Sequence, residues 1–224
     1  MSQKIEYPRP DGQSAPGLYF EPEGGKKAPG IVLIQEWWGI NQHMESVGEW
    51  LAEEDFRVII PDLFRGKVTT DSKQASEWMN KLNFVEAVQQ DIRGAAQFLK
   101  KDSFRVGVLG FCMGGALAIA SAVHVPEVAA SVCYYGIPPK ELADATHIKI
   151  PIQFHFAKKD DWCSPSTVEF FENSLKGAEV KHEMYRYDAQ HAFFNDTRPE
   201  VYHPESAQKS WDRTLQFLKK NLGK

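Results

Sequence analysis

The sequence predicts an α/β protein in which helices cover both faces of a mostly parallel β-sheet. Two observations support this prediction. Several short runs are continuously apolar, as in strands buried on both faces, and segments with apolar residues at helical spacing lie between them. The chain has 224 residues, enough for a full hydrophobic core, and shows no internal repeat or linker. We therefore expect a single domain over residues 1–224.

The N-terminal half contains three predicted strands and three predicted helices. The strands are short apolar runs at residues 18–20, 30–35 and 56–60. The helices follow from apolar residues spaced three or four apart, starting at Asn41 and Asp71 and spanning 85–100. Asn41 is the expected N-cap of the first helix, because its side chain can accept a hydrogen bond from a free backbone N–H.

The C-terminal half continues the alternation. Its predicted strands cover residues 105–111, 128–135, 150–156 and 180–187. Its predicted helices run from the first of these strands to about His124, from Pro165 to about Leu175, and over 205–221. A parallel sheet of this kind gathers functional residues at the carboxyl ends of its strands.

The strand over 105–111 leads into Gly-Phe-Cys-Met-Gly at 110–114. The two glycines around Cys112 match the G-x-S-x-G nucleophile elbow, with cysteine in place of serine. The flanking positions need glycine because the central residue is held at a strained positive φ. The helix N-terminus that follows favours a thiolate. We predict Cys112 as the nucleophile; the alternative is a buried structural cysteine in a Gly-rich turn.

Two further strand ends supply a base and an acid. His191 follows the last predicted strand, so the chain order is nucleophile, acid, histidine, which is typical of α/β-hydrolases. The alternative interpretation of His191 is a solvent-exposed loop histidine. Asp160 and Asp161 both follow the strand over 150–156. We choose Asp160, from its spacing after a small residue, whereas Asp161 fits an Asp-x-x-x-Pro pattern that ends at Pro165.

Glu36 ends the strand over 30–35 and is expected near Cys112. The backbone N–H groups of Trp37 and Met113 are the predicted oxyanion hole, worth a few kcal/mol in the transition state. Of the other cysteines, Cys133 reads as a buried small hydrophobe and Cys163 as a non-catalytic loop residue. His155 is expected in the core, and the remaining histidines on the surface, at His43, His124, His147, His182 and His203.

Composition limits the partners and the compartment. A net charge of −4 with mixed signs does not favour a nucleic-acid or anionic-membrane surface. There is no long apolar run, signal-peptide pattern or metal-binding spacing. Three cysteines, an odd number, favour a reducing cytoplasmic setting over a disulfide framework. We expect a small-molecule substrate, no nucleic-acid or membrane partner, no metal, and a monomer or weak homodimer.

Over nearly its whole length the sequence resembles the dienelactone hydrolase (carboxymethylenebutenolidase) family of the α/β-hydrolase fold. The motifs that support this are Gln-Glu-Trp-Trp-Gly at 35–39, Pro-Asp-Leu at 61–63, Gly-Phe-Cys-Met-Gly-Gly at 110–115, Asp-Asp-Trp at 160–162 and His-Ala-Phe at 191–193. The resemblance implies Cys112 as nucleophile, His191 as base and Asp160 as its orienter. It also implies that Glu36 keeps the resting thiol neutral and deprotonates it when substrate binds, the opposite of the resting thiolate favoured by the helix dipole.

The resemblance also implies a departure in substrate recognition. The dienelactone enzymes bind the substrate carboxylate with two arginines, one shortly after the catalytic histidine and one in the helix after Pro-Asp-Leu. Here the first position is Asn195, and residues 71–83 contain lysines but no arginine. Arg198 is a candidate substitute. The expected apolar pocket wall consists of Trp37, Trp38 and Trp78.

We therefore predict a cysteine-dependent hydrolase of a lactone or small carboxylic ester, acting through a Cys-His-Asp triad and an acyl-enzyme. No cofactor is implied, because acyl transfer needs none. One alternative is a general carboxylesterase or thioesterase using the same site. Another is a non-catalytic ligand-binding relative, or a thiol redox sensor that forms a disulfide between Cys112 and Cys163.

Overall fold

The computed structural model describes residues 2–24 and 27–223 and is built on one eight-stranded sheet. The strands are β1 (Ser2–Pro8), β2 (Ser14–Phe20), β3 (Gly30–Ile34), β4 (Arg57–Pro61), β5 (Val106–Phe111), β6 (Val128–Tyr134), β7 (Ile152–Lys159) and β8 (His182–Gln190). The helices are α1 (Gln42–Glu53), α2 (Ser72–Lys81), α3 (Phe84–Glu86), α4 (Arg93–Lys100), α5 (Met113–His124), α6 (Pro165–Gly177) and α7 (Pro204–Leu222). A π-helical segment, Ala87–Ile92, joins α3 to α4.

The strand order is β1-β2-β4-β3-β5-β6-β7-β8. The six strands from β4 to β8 pair in parallel, and β1 and β2 add an antiparallel extension at one side. The predicted mostly parallel sheet is thus confirmed. The sequence did not indicate β1, because this edge strand is largely exposed and mixes charged with apolar residues.

Alternate residues of the central strands face opposite layers of helix. In β3, Ile31 and Leu33 pack in a cluster with α1 and α7, whereas Val32 and Ile34 pack with α4 and α5. Every residue of β3 is buried, which explains its continuous apolar sequence. Helices therefore cover both faces, as predicted.

Most element boundaries lie within two or three residues of the prediction, and the differences matter at two strand ends. β7 continues to Lys159 and β8 to Gln190, so Asp160 and His191 each follow a strand directly. The predicted N-cap is confirmed, since Asn41 accepts a hydrogen bond from the Met44 N–H at 3.1 Å. Among the described residues, no helix combines the length and apolar character that a membrane span requires.

Candidate active site

Cys112 lies in a tight turn between β5 and α5, with φ 55° and ψ −117°. Its N–H donates to the Tyr134 carbonyl at 3.1 Å, and its own carbonyl accepts from the Ala116 N–H at 3.1 Å. The first bond ties the turn to β6, and the second begins the helix. The positive φ is unfavourable for a residue with a Cβ, so the surrounding structure must hold it.

The glycines on either side of Cys112 make that turn possible. A Cβ on Gly110 would overlap the Gly114 carbonyl, and a Cβ on Gly114 would overlap the carbonyl oxygens of Ile34 and Gln35. The turn thus packs backbone against backbone, leaving no room for a side chain at either position. This is the physical reason for the spacing that the sequence displayed.

His191 and Asp160 meet across the ends of β8 and β7. Nδ1 of His191 lies 2.8 Å from Oδ2 of Asp160, and Oδ1 of Asp160 accepts from the N–H groups of Trp162 and Cys163 at 2.8 and 2.9 Å. The Asp160 side chain is fully buried in this cradle, whereas Asp161 is exposed. Of the two candidate acids, Asp160 is therefore the one in contact with the histidine.

The contact moves the pKa values of both partners toward an ion pair. For His191, burial disfavours the charged ring, but the hydrogen bonds and charges of Asp160 and Cys112 outweigh it and raise the pKa to about 10. For Asp160, burial raises the pKa, but the hydrogen bond and charge of His191 and two backbone N–H groups hold it below its ordinary value. The two shifts have the same cause and opposite directions, as expected for a cation and an anion that stabilise each other.

His191 and Cys112 line the same cavity. Nε2 is buried and has no hydrogen-bond partner that meets strict geometry among the described residues. The Cys112 thiol is nevertheless close enough to contribute to the raised pKa of the imidazole. Cys112 itself is partly exposed. The three side chains thus form the chain Cys112, His191, Asp160, with the thiol at the open end.

Glu36 stands just after β3 and is almost completely buried, at 1% exposure. Its Oε2 accepts a hydrogen bond of 2.7 Å from the side-chain amide of Asn195. Its Oε1 is buried and has no hydrogen-bond partner among the described residues. Asn195, which stands where the family resemblance places a substrate-binding arginine, is fully buried against Glu36.

The loop that follows β3 is held by Gln35. Its side-chain carbonyl accepts from the Leu63 N–H at 3.2 Å, which joins the 35–39 segment to the Pro-Asp-Leu segment after β4. This explains why the two motifs occur in one sequence. The loop brings Trp37 to the cavity. Met113, the first residue of α5, also lines the cavity. Backbone N–H groups at the start of a helix have no intrahelical acceptor.

A cavity of about 300 Å³ opens over Cys112, and Glu36 and His191 also line it. Its walls are mainly apolar and include Trp37, Trp38, Met79, Met113, Ile137 and Trp162. The expectation that Trp78 lines the pocket is wrong. Its ring packs on Phe64, with 5.7 Å between the ring centroids, at the edge of a buried core cluster.

Trp162 lines the cavity, although the sequence did not single it out as part of the pocket wall. It is 66% exposed at the rim, and its ring centroid lies 5.5 Å from that of Trp37 and 6.3 Å from that of His191. Its place directly after the two candidate aspartates was the signal that could have identified it. Arg198 also lines the cavity, with its guanidinium 5.4 Å from the Trp38 ring and 2.8 Å from a Glu200 carboxylate oxygen.

Tyr135 is a site residue that sequence reasoning missed, because it was counted as the end of a buried strand. It follows β6 with φ 38°, and its ring centroid is 5.0 Å from that of His191. Its hydroxyl is buried without a partner among the described residues. Burial, with the charges of Glu36 and Cys112, raises the pKa of Tyr135 well above its ordinary value, so the phenol stays neutral.

Of the remaining cysteines and histidines, Cys163 lines the cavity and the others do not, and one prediction needs correction. Cys133 is fully buried, as expected, and burial raises the pKa of both Cys133 and Cys163. His155 is in the core as predicted. The surface position predicted for His43 is wrong: α1 buries its ring against Phe111 and Phe194, and its Nδ1 lies 3.0 Å from an Asp196 oxygen.

No cluster of three potential metal-ligating side chains is found in the described part of the chain.

The comparison with known proteins identifies the family of the chain. The model of the dienelactone hydrolase family matches residues 15–222. The chain belongs to the dienelactone hydrolase family. Members share the α/β-hydrolase fold, and the family places this chain among hydrolases that act on ester bonds.

Similar proteins cover almost the entire chain. "Protein usf" of Aquifex pyrophilus is 32% identical over 99% of this chain and all of its own length. "Putative carboxymethylenebutenolidase" of Aquifex aeolicus is 29% identical with the same coverage. The crystal structure of a "Putative Dienelactone Hydrolase" from Klebsiella pneumoniae has a TM-score of 0.87 at 25% identity and covers 98% of both chains.

Proposed function

We propose that this dienelactone hydrolase family member is a cysteine-dependent hydrolase of lactones or small carboxylic esters. The observation that carries the proposal is the arrangement of Cys112 at a strained turn, next to a histidine whose other nitrogen is bonded to a buried aspartate. Nucleophile, base and orienter are the three roles that acyl transfer to a side chain requires.

In the first half-reaction the proton of Cys112 passes to His191 and is held there, as the raised pKa of the imidazole favours, and the thiolate sulfur attacks the ester carbonyl carbon. The N–H groups of Trp37 and Met113 stabilise the oxyanion of the tetrahedral intermediate. The C–O bond then breaks, and the leaving oxygen takes the proton from His191. The product is a thioester on Cys112 and an alcohol. When the substrate is a lactone, the alcohol remains part of the acyl group on the enzyme.

In the second half-reaction water attacks the thioester carbonyl and gives a proton to His191. The C–S bond breaks, the carboxylic acid leaves, and the sulfur recovers the proton. Asp160 keeps Nδ1 of His191 protonated throughout, so Nε2 remains the nitrogen that exchanges protons. Glu36 is the second group on the cavity that can accept the thiol proton when substrate enters.

The cavity supports a small, largely apolar substrate. Its volume is about 300 Å³, and tryptophan and methionine side chains form much of its wall. Among the described lining residues, Arg198 is the one lysine or arginine, and Glu200 already pairs with it. A substrate carboxylate would have to compete with Glu200 for that guanidinium.

The experiment compares initial rates on dienelactone, a simple γ-lactone and 4-nitrophenyl acetate. The proteins are the wild type, Cys112→Ala and the matched control Cys163→Ala, which removes a buried thiol at the same cavity. We expect turnover of at least one substrate by wild type and Cys163→Ala, and a loss of about 10³-fold or more in Cys112→Ala. Mass spectrometry of quenched wild type should show an acyl group on Cys112.

Each other result has a definite meaning. Full activity in Cys112→Ala would exclude the cysteine as nucleophile. Faster turnover of open-chain esters than of both lactones would favour a general carboxylesterase. A redox sensor would form a disulfide between Cys112 and Cys163 under mild peroxide, but Cys163 is a poor partner, because burial first and the Asp160 charge second raise the pKa of its thiol.

A further inference from the structure

The buried pair formed by Asn195 and Glu36 lies outside the Cys-His-Asp chain. The orientation of the Asn195 amide is fixed by its neighbours. Its Oδ1 accepts from the Thr197 N–H at 3.1 Å and from the Thr197 hydroxyl at 2.7 Å. A backbone N–H can only donate, so the amide oxygen must face Thr197 and the amide nitrogen must face Glu36.

This contact treats the two oxygens of Glu36 differently. Oε2 receives the amide N–H at 2.7 Å, while Oε1 is buried beside the cavity without a partner. A buried carboxylate oxygen left unbonded is costly, so such a group calls for a functional explanation. The donor is also neutral. It fixes the position of the carboxylate and leaves the negative charge in place. A cation in the same position would cancel that charge.

We propose that Asn195 is a positioning residue for Glu36: it holds one carboxylate oxygen so that the other is presented to the reacting thiol of Cys112. This inference rests on the proposed function, because it gives Glu36 a part in the reaction at Cys112. The charged or titratable groups around Glu36 are Cys112, His191, Asp160, Tyr135 and Arg198.

A double-mutant cycle separates this role from a structural one. The proteins are wild type, Asn195→Ala, Glu36→Gln and the double variant. Without its donor, the Glu36 carboxylate is no longer held with one oxygen toward the cavity. We therefore expect kcat of Asn195→Ala to fall by about 10-fold or more with KM changed less than about threefold. In the Glu36→Gln background the same substitution should cost less than about twofold.

A second readout needs no substrate. The rate at which iodoacetamide alkylates Cys112 is measured against pH, because only the thiolate reacts. A carboxylate held beside the thiol disfavours the thiolate, so releasing Glu36 in Asn195→Ala should move the midpoint to lower pH by about half a unit or more. In the Glu36→Gln background the midpoint should stay where it is.

Asn221→Ala is the matched control. It removes an asparagine amide that donates to the Phe217 carbonyl at 2.8 Å and does not line the cavity, so both readouts should match wild type. If Asn195→Ala does not fold, Asn195→Leu replaces it in the comparison, since leucine has nearly the same volume, is neutral and removes the donor to Glu36.

Equal losses in the two Glu36 backgrounds, or an unmoved alkylation midpoint in Asn195→Ala, would overturn the inference. Failure of the proposed function looks different. If no ester is turned over by any of these proteins, the hydrolase proposal falls, while a Glu36-dependent shift of the alkylation midpoint would still support the positioning role of Asn195.

Discussion

The carboxylate of Asp160 is shared between a side chain and the backbone. One oxygen bonds to His191, and the other receives two N–H groups from the loop that follows β7. The residue therefore orients the imidazole and is itself held rigidly. Its neighbour Asp161 is exposed and has no part in this arrangement.

Asp160→Asn should lower kcat strongly, because an amide can donate to Nδ1 and thereby favour the wrong tautomer of His191. We expect a loss of about 10³-fold or more in initial rate on the best ester substrate. Asp161→Asn removes the same charge one residue further on and should stay within about twofold of wild type. Comparable losses in both variants would mean that loop charge, rather than the contact with His191, is what matters.

The Asp160–His191 pair should also make stability depend on pH. The folded-state pKa of His191 is raised to about 10, so its stabilisation is complete below the unfolded value of 6.5 and is lost as the pH rises through 10. The pKa of Asp160 is lowered, so its stabilisation is lost as the pH falls below the ordinary aspartate range. The pair therefore contributes most at weakly acidic pH.

Urea unfolding of wild type and Asp160→Asn at several pH values tests this dependence. The difference in unfolding free energy should be about 3 kcal/mol near pH 6 and should shrink to less than half of that near pH 10. Asp161→Asn supplies the baseline for removing an exposed charge. A difference that stays constant from about pH 6 to about pH 10 would refute the assigned ion pair.

At the scale of elements, the important junction is the turn that joins β5 to α5. Gly114 lets the first turn of α5 approach the end of β3 so closely that its backbone lies against the Ile34 and Gln35 carbonyls. The same approach brings Cys112 near Glu36. A change at this glycine should therefore affect packing and reactivity together.

Gly114→Ala should destabilise the protein by about 3 kcal/mol or more, because backbone atoms cannot move aside as a flexible side chain can. The matched control is Gly177→Ala in the last position of α6, where a Cβ meets nothing within 4 Å. That substitution should be neutral or stabilise by up to about 1 kcal/mol. The urea midpoints of the two variants measure both effects. A Gly114→Ala protein as stable as wild type would mean that the junction can relax.

At the scale of the whole molecule, the sequence was sufficient for the parallel sheet and for the residues directly after its strands. Cys112 and His191 could be predicted at strand ends because a glycine-flanked turn and a strand end are each determined by residues that are neighbours in the chain. Tyr135, Trp162 and the true contact of Asn195 could not be assigned, because each depends on what lies opposite in space. β1 was missed because an exposed edge strand lacks a continuous apolar run.

The assembly of the site from distant strand ends has a consequence for how the protein folds. Glu36 and Asn195 are separated by 159 positions in the chain, yet they touch. Contacts between residues so far apart in the chain form late. The entropy cost of closing the loop must be overcome before the pairing of parallel strands stabilises the structure. Recovery of Cys112 reactivity during refolding will therefore mark the end of the process, after secondary structure has formed and while the last strands align.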